Sequence, residues 1–116
     1  MRIGFNTIQP SARKSSYQKF TRHTVENMEE VSAVVENSSM KEEMLEDAVM
    51  ISSDAMQRFQ DHKDIATYVK REFDRKYGKT WHCVVGRDYG SFITHEEGHF
   101  ADFRLQHLAF LLYKTV

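Results

Sequence analysis

The sequence predicts an α+β domain in which two helices pack on an antiparallel β-sheet. Two runs between about residues 40 and 77 carry apolar side chains at helical spacing. From Thr80 onward the period changes to 2. A short apolar run, "SAVVEN" at 32–37, precedes the helices. The predicted order is strand, helix, helix and four strands, which places the helices together on one side of a sheet.

The chain has 116 residues, enough for one domain with a real core and too few for two. Hydrophobic residues make up 41% and charged residues 28%, an ordinary composition for a folded soluble domain. Lys plus Arg number 16 against 17 for Asp plus Glu, so overall charge does not point to nucleic acid or a membrane surface. The distribution is uneven: residues 1–25 hold Arg2, Arg13, Lys14, Lys19 and Arg22 and no acidic residue. With Cys83 alone, no internal disulfide can form. No apolar run reaches membrane-spanning length, and the N-terminus lacks the apolar centre of a signal peptide. There is no internal repeat and no low-complexity tract.

Residues 1–31 keep neither period for long and contain the only proline, Pro10, so they read as a flexible basic extension before a domain at 32–116. An acid-free start with Arg and Ser also fits a mitochondrial presequence, but a tail is the simpler reading. The run 32–37 reads as an edge strand. Ser39 with Glu42 three residues later spells a capping box for a first helix over about 40–60. Its expected apolar stripe is Met44, Ala48, Ile51, Ala55 and Phe59. Asp61 is the expected N-cap of a second helix with stripe Ile65, Val69, Phe73 and Tyr77, stopped by Gly78. Strands follow at "TWHCVVG" (80–86), "YGSFIT" (89–94), "HFADFRL" (99–105) and "HLAFLLYK" (107–114). In the third of these, His99, Ala101, Phe103 and Leu105 share one face, with Phe100, Asp102 and Arg104 on the other. The last is almost unbroken apolar, as in a strand covered on both faces.

His95-Glu96-Glu97-Gly98-His99 spells H-E-x-x-H, the zinc signature of metallopeptidases. That chemistry needs both histidines on one helix face and a third ligand. Here the flanks alternate as strands, and Glu97-Gly98 reads as a hairpin turn, so no zinc site and no hydrolase is expected. His82 and Cys83 are neighbours, which on a strand sends them to opposite faces and rules out a dyad. "GRDYG" lacks the lysine of a phosphate loop. No catalytic residue and no cofactor is expected.

Residues 86–95, "GRDYGSFITH", carry glycines at 86 and 90 beside small and medium side chains, so another chain can approach the backbone there or the sheet can bend there. The longer stretch "KDIATYVKREFDRKYGKTWHCVVGRDYGSFITHE", followed by "HF" and a closing "LLYK", resembles the small dimeric dynein light chain that serves as a peptide-binding hub. The resemblance extends upstream through "EEM" and "AVVENSSM" and covers about 33–116.

The resemblance implies two helices on a β-sandwich and a homodimer, in which a strand at about 87–94 crosses to the partner's sheet. It also implies a groove between that strand and the second helix, where a ligand peptide lies as an added strand. The matching groove positions are Lys63, Tyr89, Gly90, Ser91, Phe92, Ile93, Thr94, His95, Phe100, Asp102, Arg104, Ala109 and Leu111. The matching dimer positions are His82, Arg87, Asp88, Tyr89, Ser91, Phe92 and Thr94. Implied partners are dynein intermediate chains or other disordered segments, with the chain itself or a related light chain as dimer partner. No nucleic acid or membrane is implied. The implied setting is the cytoplasm and cytoskeleton within a microtubule motor, or the axoneme of a cilium or flagellum. Two departures stand out. His62 replaces a family glutamate, and Asp102 and Arg104 replace family tyrosines, which would turn one groove wall from aromatic to charged.

Overall fold

The structure is a computed structural model that describes residues 16–23, 28–87 and 98–116. Its elements in chain order are β1 (Ser16–His23), β2 (Met28–Ser38), α1 (Glu42–Arg58), α2 (His62–Tyr77), β3 (Trp81–Gly86), β4 (Phe100–Leu105) and β5 (Leu108–Lys114). The strands form one sheet in the order β1-β2-β4-β5-β3, and every pairing is antiparallel. The α+β expectation therefore holds.

Both helices cover one face of this sheet. Ala101, Phe103 and Leu105 of β4 and Leu108, Phe110 and Leu112 of β5 meet Ile65, Val69 and Phe73 of α2 in a single buried cluster. Phe103 lies opposite Phe110 in the ladder, with the two rings stacked at 5.2 Å. The alternation read in 99–105 is thus realised, and β5 is buried on both faces as far as Leu112.

α2 forms as its sequence predicts. The Asp61 carboxylate accepts the Lys63 N–H at 3.0 Å, and Gly78 ends the helix at φ +83, a conformation that a Cβ disfavours. Replacing Asp61 with Ala should lower stability by about 1 kcal/mol, read as a lower urea midpoint, whereas Asp61→Asn should leave it nearly unchanged. Equal losses in the two variants would show that the cap contributes nothing.

α1 departs from its prediction at the N-terminus. Its N-cap is Lys41, which makes no side-chain cap hydrogen bond, and Ser39 Oγ is buried without a hydrogen-bond partner. The capping box fails because Ser39, just past the end of β2, is tied to β4: its N–H donates to the Phe100 carbonyl at 2.9 Å, so the helix starts later. Glu42 and Glu43 still place negative charge in the first turn. The buried residues are Leu45, Ala48, Val49, Met50, Ser52 and Ala55, so the stripe turns by about one position from the predicted one. Met44, Ile51 and Phe59 pack at its margin.

The N-terminal region holds two further corrections. Residues 16–23 and 28–31, read as part of an irregular extension, are sheet strands. β2 is consequently an interior strand rather than an edge. Its register with β1 runs unbroken from Ser16↔Val35 to His23↔Met28, while a bulge between Val35 and Asn37 interrupts its pairing with β4. Only Phe20 of β1 enters the core, so apolar periodicity could not reveal this strand. Arg22 supplies a second anchor, pairing with Glu29 across the hairpin and with Asp54 of α1 at 3.4 Å.

Candidate functional site: an end strand and a mixed sheet face

β3 ends the sheet, with β5 on one side and no strand on the other among the described residues. Its side chains split between two environments. Trp81, Cys83 and Val85 face the helices and pack in or against the core. His82 and Val84 face the opposite way, and Val84 is 44% exposed. The separation of His82 from Cys83 expected of a strand is therefore present.

That opposite face carries most of the predicted positions that lie among the described residues. The register lines them up in rows across three strands: His82, Tyr113 and Phe100; Val84, Leu111 and Asp102; Gly86, Ala109 and Arg104. Phe100, Ala109 and Leu111 are buried, at 8%, 3% and 2% exposure, yet none of them belongs to the core cluster beneath the helices. Asp102 and Arg104 are half-buried beside them, and Arg104 Nε donates to Glu36 of β2 at 3.3 Å. This face is thus charged at the two positions where the sequence departs from the resembled pattern. His82 stacks on Tyr113, with ring centroids 5.1 Å apart, and its Nε2 lies 3.0 Å from Thr115 Oγ1.

Lys63 does not share this face. It stands in the first turn of α2, in the helix layer, where its own N–H is taken by the Asp61 cap. His62 lines a cleft of about 200 Å³ with Phe59, Ile65 and His107. Arg87 is exposed immediately after β3. Asp88, Tyr89, Gly90, Ser91, Phe92, Ile93, Thr94 and His95 lie outside the described residues.

Of the H-E-x-x-H spelling, only Gly98 and His99 lie among the described residues. Gly98 has φ +82, so no helix runs through it to carry His99, and His99 instead packs against Trp81 at 5.7 Å. Among the described residues, no group of three His, Cys, Asp or Glu side chains could hold a metal. Cys83 is a poor nucleophile, because burial pushes its thiol up to about 12. A disulfide-exchange reagent should modify it more slowly in the folded chain than in denaturant. Similar rates in the two states would place the thiol in solvent.

Sequence reasoning missed Glu36, Val34 and Val84 as members of the mixed face. For Val34 the signal was present, since it lies between the buried Ala33 and Val35 and must point away from them, whereas Glu36 falls at the bulge, where alternation gives no guide.

Residues 32–115 match the family described as Dynein light chain type 1. The chain belongs to that family. It is also similar to the dynein light chain-like domain of the calcium-binding protein FhCaBP2 of Fasciola hepatica, in two solved structures. The mercury derivative superposes with a TM-score of 0.64 at 22% identity, over 72% of this chain and 92% of that one. The native P6422 form gives 0.63 at 22%, over 74% and 93%. At that identity the likeness bears on fold, and it supports a dynein light chain fold of two helices on an antiparallel sheet. β1 and the start of β2 precede the family match. No described helix is long and apolar enough to cross a membrane.

Proposed function

We propose that this dynein light chain is a non-catalytic dimer that binds extended peptide segments by strand addition and holds dynein intermediate chains together in the motor complex. Family membership carries the reading. A sheet end at β3, packed by α2 and bordered by the row of His82, Tyr113 and Phe100, supports the reading, because a crossing strand and then a ligand could continue the ladder there. Backbone hydrogen bonds would supply generic affinity, and pockets for alternate side chains would select the ligand. The groove would use Lys63, the segment 89–95, Phe100, Asp102, Arg104, Ala109 and Leu111. A dimer with two grooves holds two copies of a segment, which raises avidity by about 10²–10⁴ over one groove. The setting is the cytoplasm and the microtubule cytoskeleton.

A second reading rests on Asp102 and Arg104. With Arg104 engaged by Glu36, the wall offers charge where the family pattern has tyrosines. A Thr-Gln-Thr-type ligand would then meet a mismatched surface, and the chain would serve as a specialised light chain of an axonemal dynein that pairs with another light chain.

Sedimentation of the full chain, followed by calorimetric titration of a Thr-Gln-Thr peptide, tests both. The first reading expects a dimer that takes one peptide per protomer, and expects the Asp102→Tyr, Arg104→Tyr double variant to bind at least tenfold tighter. An intact dimer that binds no such peptide, even in the double variant, selects the structural reading. A monomer that binds nothing defeats both.

A further inference from the structure

At the end of the sheet opposite β3, β1 presents eight residues in regular strand geometry, with β2 on one side and no strand on the other among the described residues. That edge is about 26 Å long at the usual rise per residue. Its pairing with β2 contains no bulge and its sequence no proline, the two devices that most often spoil an edge for further pairing. The strand is also held firmly. Phe20 is buried in the core, Arg22 is tied to Glu29 and Asp54, and the Tyr17 hydroxyl donates to Ser32 Oγ at 2.9 Å. An edge fixed in this way can accept a strand without first being ordered, so less conformational entropy is lost on binding.

Charge identifies the occupant. The charge that β1 leaves for a partner is the exposed Lys19, since Arg22 is already paired with Glu29 and Asp54, and residues 1–25 hold no acidic residue. Two copies of β1 laid edge to edge would set like charges against each other, which works against self-pairing. An incoming strand with carboxylates at alternate positions would place them across from the exposed Lys19, beside the 65%-exposed Tyr17. We propose that the outer edge of β1 is a second strand-addition site, which takes an acidic, extended segment of a partner protein. This site precedes the family match and lies at the far end of the sheet from the β3 groove, so it does not rest on the reading of that groove.

The probe is a capped decapeptide of alternating Glu and Thr added to the full chain, with backbone amide exchange followed by mass spectrometry. Saturating peptide should slow exchange in 16–23 at least tenfold and leave 81–86 unchanged. Lys19→Glu should weaken binding at least tenfold and Lys19→Gln severalfold, both variants keeping the circular dichroism of the parent. The proposal is overturned by no binding, by protection confined to 81–86, by equal binding of an alternating Lys-Thr decapeptide, or by undiminished binding to Lys19→Glu. Short single-stranded DNA serves as the control polyanion. If it binds as tightly as the peptide, and the peptide slows no amide in 16–23, the basic segment is an unselective polyanion surface and the strand-addition site is wrong.

Discussion

Phe73→Ala is expected to remove about 3–5 kcal/mol of folding stability, a large share of what a domain of this size possesses. Phe73 is fully buried on α2, and its ring lies 5.0 Å from Tyr77 and 4.8 Å edge-on from Trp81. It fills the space between α2 and β3, where Trp81 is likewise fully buried. Truncation loses the transfer free energy of the ring and leaves a cavity that rigid neighbours cannot close. The edge-to-face contact with Trp81 adds about 0.5–1.5 kcal/mol that area alone does not capture. Thermal unfolding at matched protomer concentration should show a midpoint lower by about 15–25 °C. Phe59→Ala is the comparison, since Phe59 only packs at the core margin, 5.9 Å from Tyr68, and should lose less than half as much. Comparable losses in the two variants would mean that the α2–β3 seam is not the mechanical centre of the fold.

That seam was the most legible part of the sequence. Asp61, the Ile65–Val69–Phe73 stripe and Gly78 each act locally, so a cap, a period and a stop could be read without knowing what the helix packs on. β4 and β5 were legible for a similar reason, because burial on one or both faces writes itself into the alternation. Ser39 shows where such reading fails. Its spacing to Glu42 is that of a capping box, but a hydrogen bond to Phe100, far along the chain, ties it to β4. β1 fails for the opposite reason, because seven of its eight residues stay out of the buried core and its placement depends on Arg22 meeting Glu29 and Asp54.

The site divides along the same line. Period 2 put Phe100, Asp102 and Arg104 on one face, and the structure agrees. What sequence could not supply is the register that sets Leu111 beside Asp102 and Ala109 beside Arg104, or the choice of Glu36 as the partner of Arg104. Register is a property of two strands, and only one strand is written at a time. The charges of Asp102 and Arg104 were readable as composition, whereas the pairing of Arg104 was not.

Asp74 is expected to make the fold acid-sensitive. It sits in the last turn of α2, where one carboxylate oxygen accepts the Trp81 N–H at 2.8 Å and the other accepts Lys70 Nζ at 2.5 Å. Its backbone carbonyl also accepts the Gly78 N–H at 3.1 Å, so this residue ties the end of α2 to the start of β3. Burial pushes the carboxyl up, but the hydrogen bonds from Lys70 and the Trp81 N–H outweigh it and hold the group below its ordinary value. A carboxyl lowered in the folded state binds its proton more readily in the unfolded chain. Its contribution is therefore complete above the unfolded value of about 3.9 and is lost as pH falls through the lower folded value. Asp74→Asn, which keeps an acceptor but removes the charge, should lower stability at neutral pH by about 1–2 kcal/mol. Lys70 is 39% exposed, so its share is screened, and added salt should narrow the difference. Asp74→Ala should lose about 2–3 kcal/mol, because it leaves the Trp81 N–H without its acceptor. Urea unfolding between pH 7 and pH 3 separates charge from acceptor. The gap between wild type and Asp74→Asn should close toward pH 3, while Asp74→Ala should stay less stable throughout. A gap of constant size for Asp74→Asn across that range would show that the charge of Asp74 plays no part in joining α2 to β3.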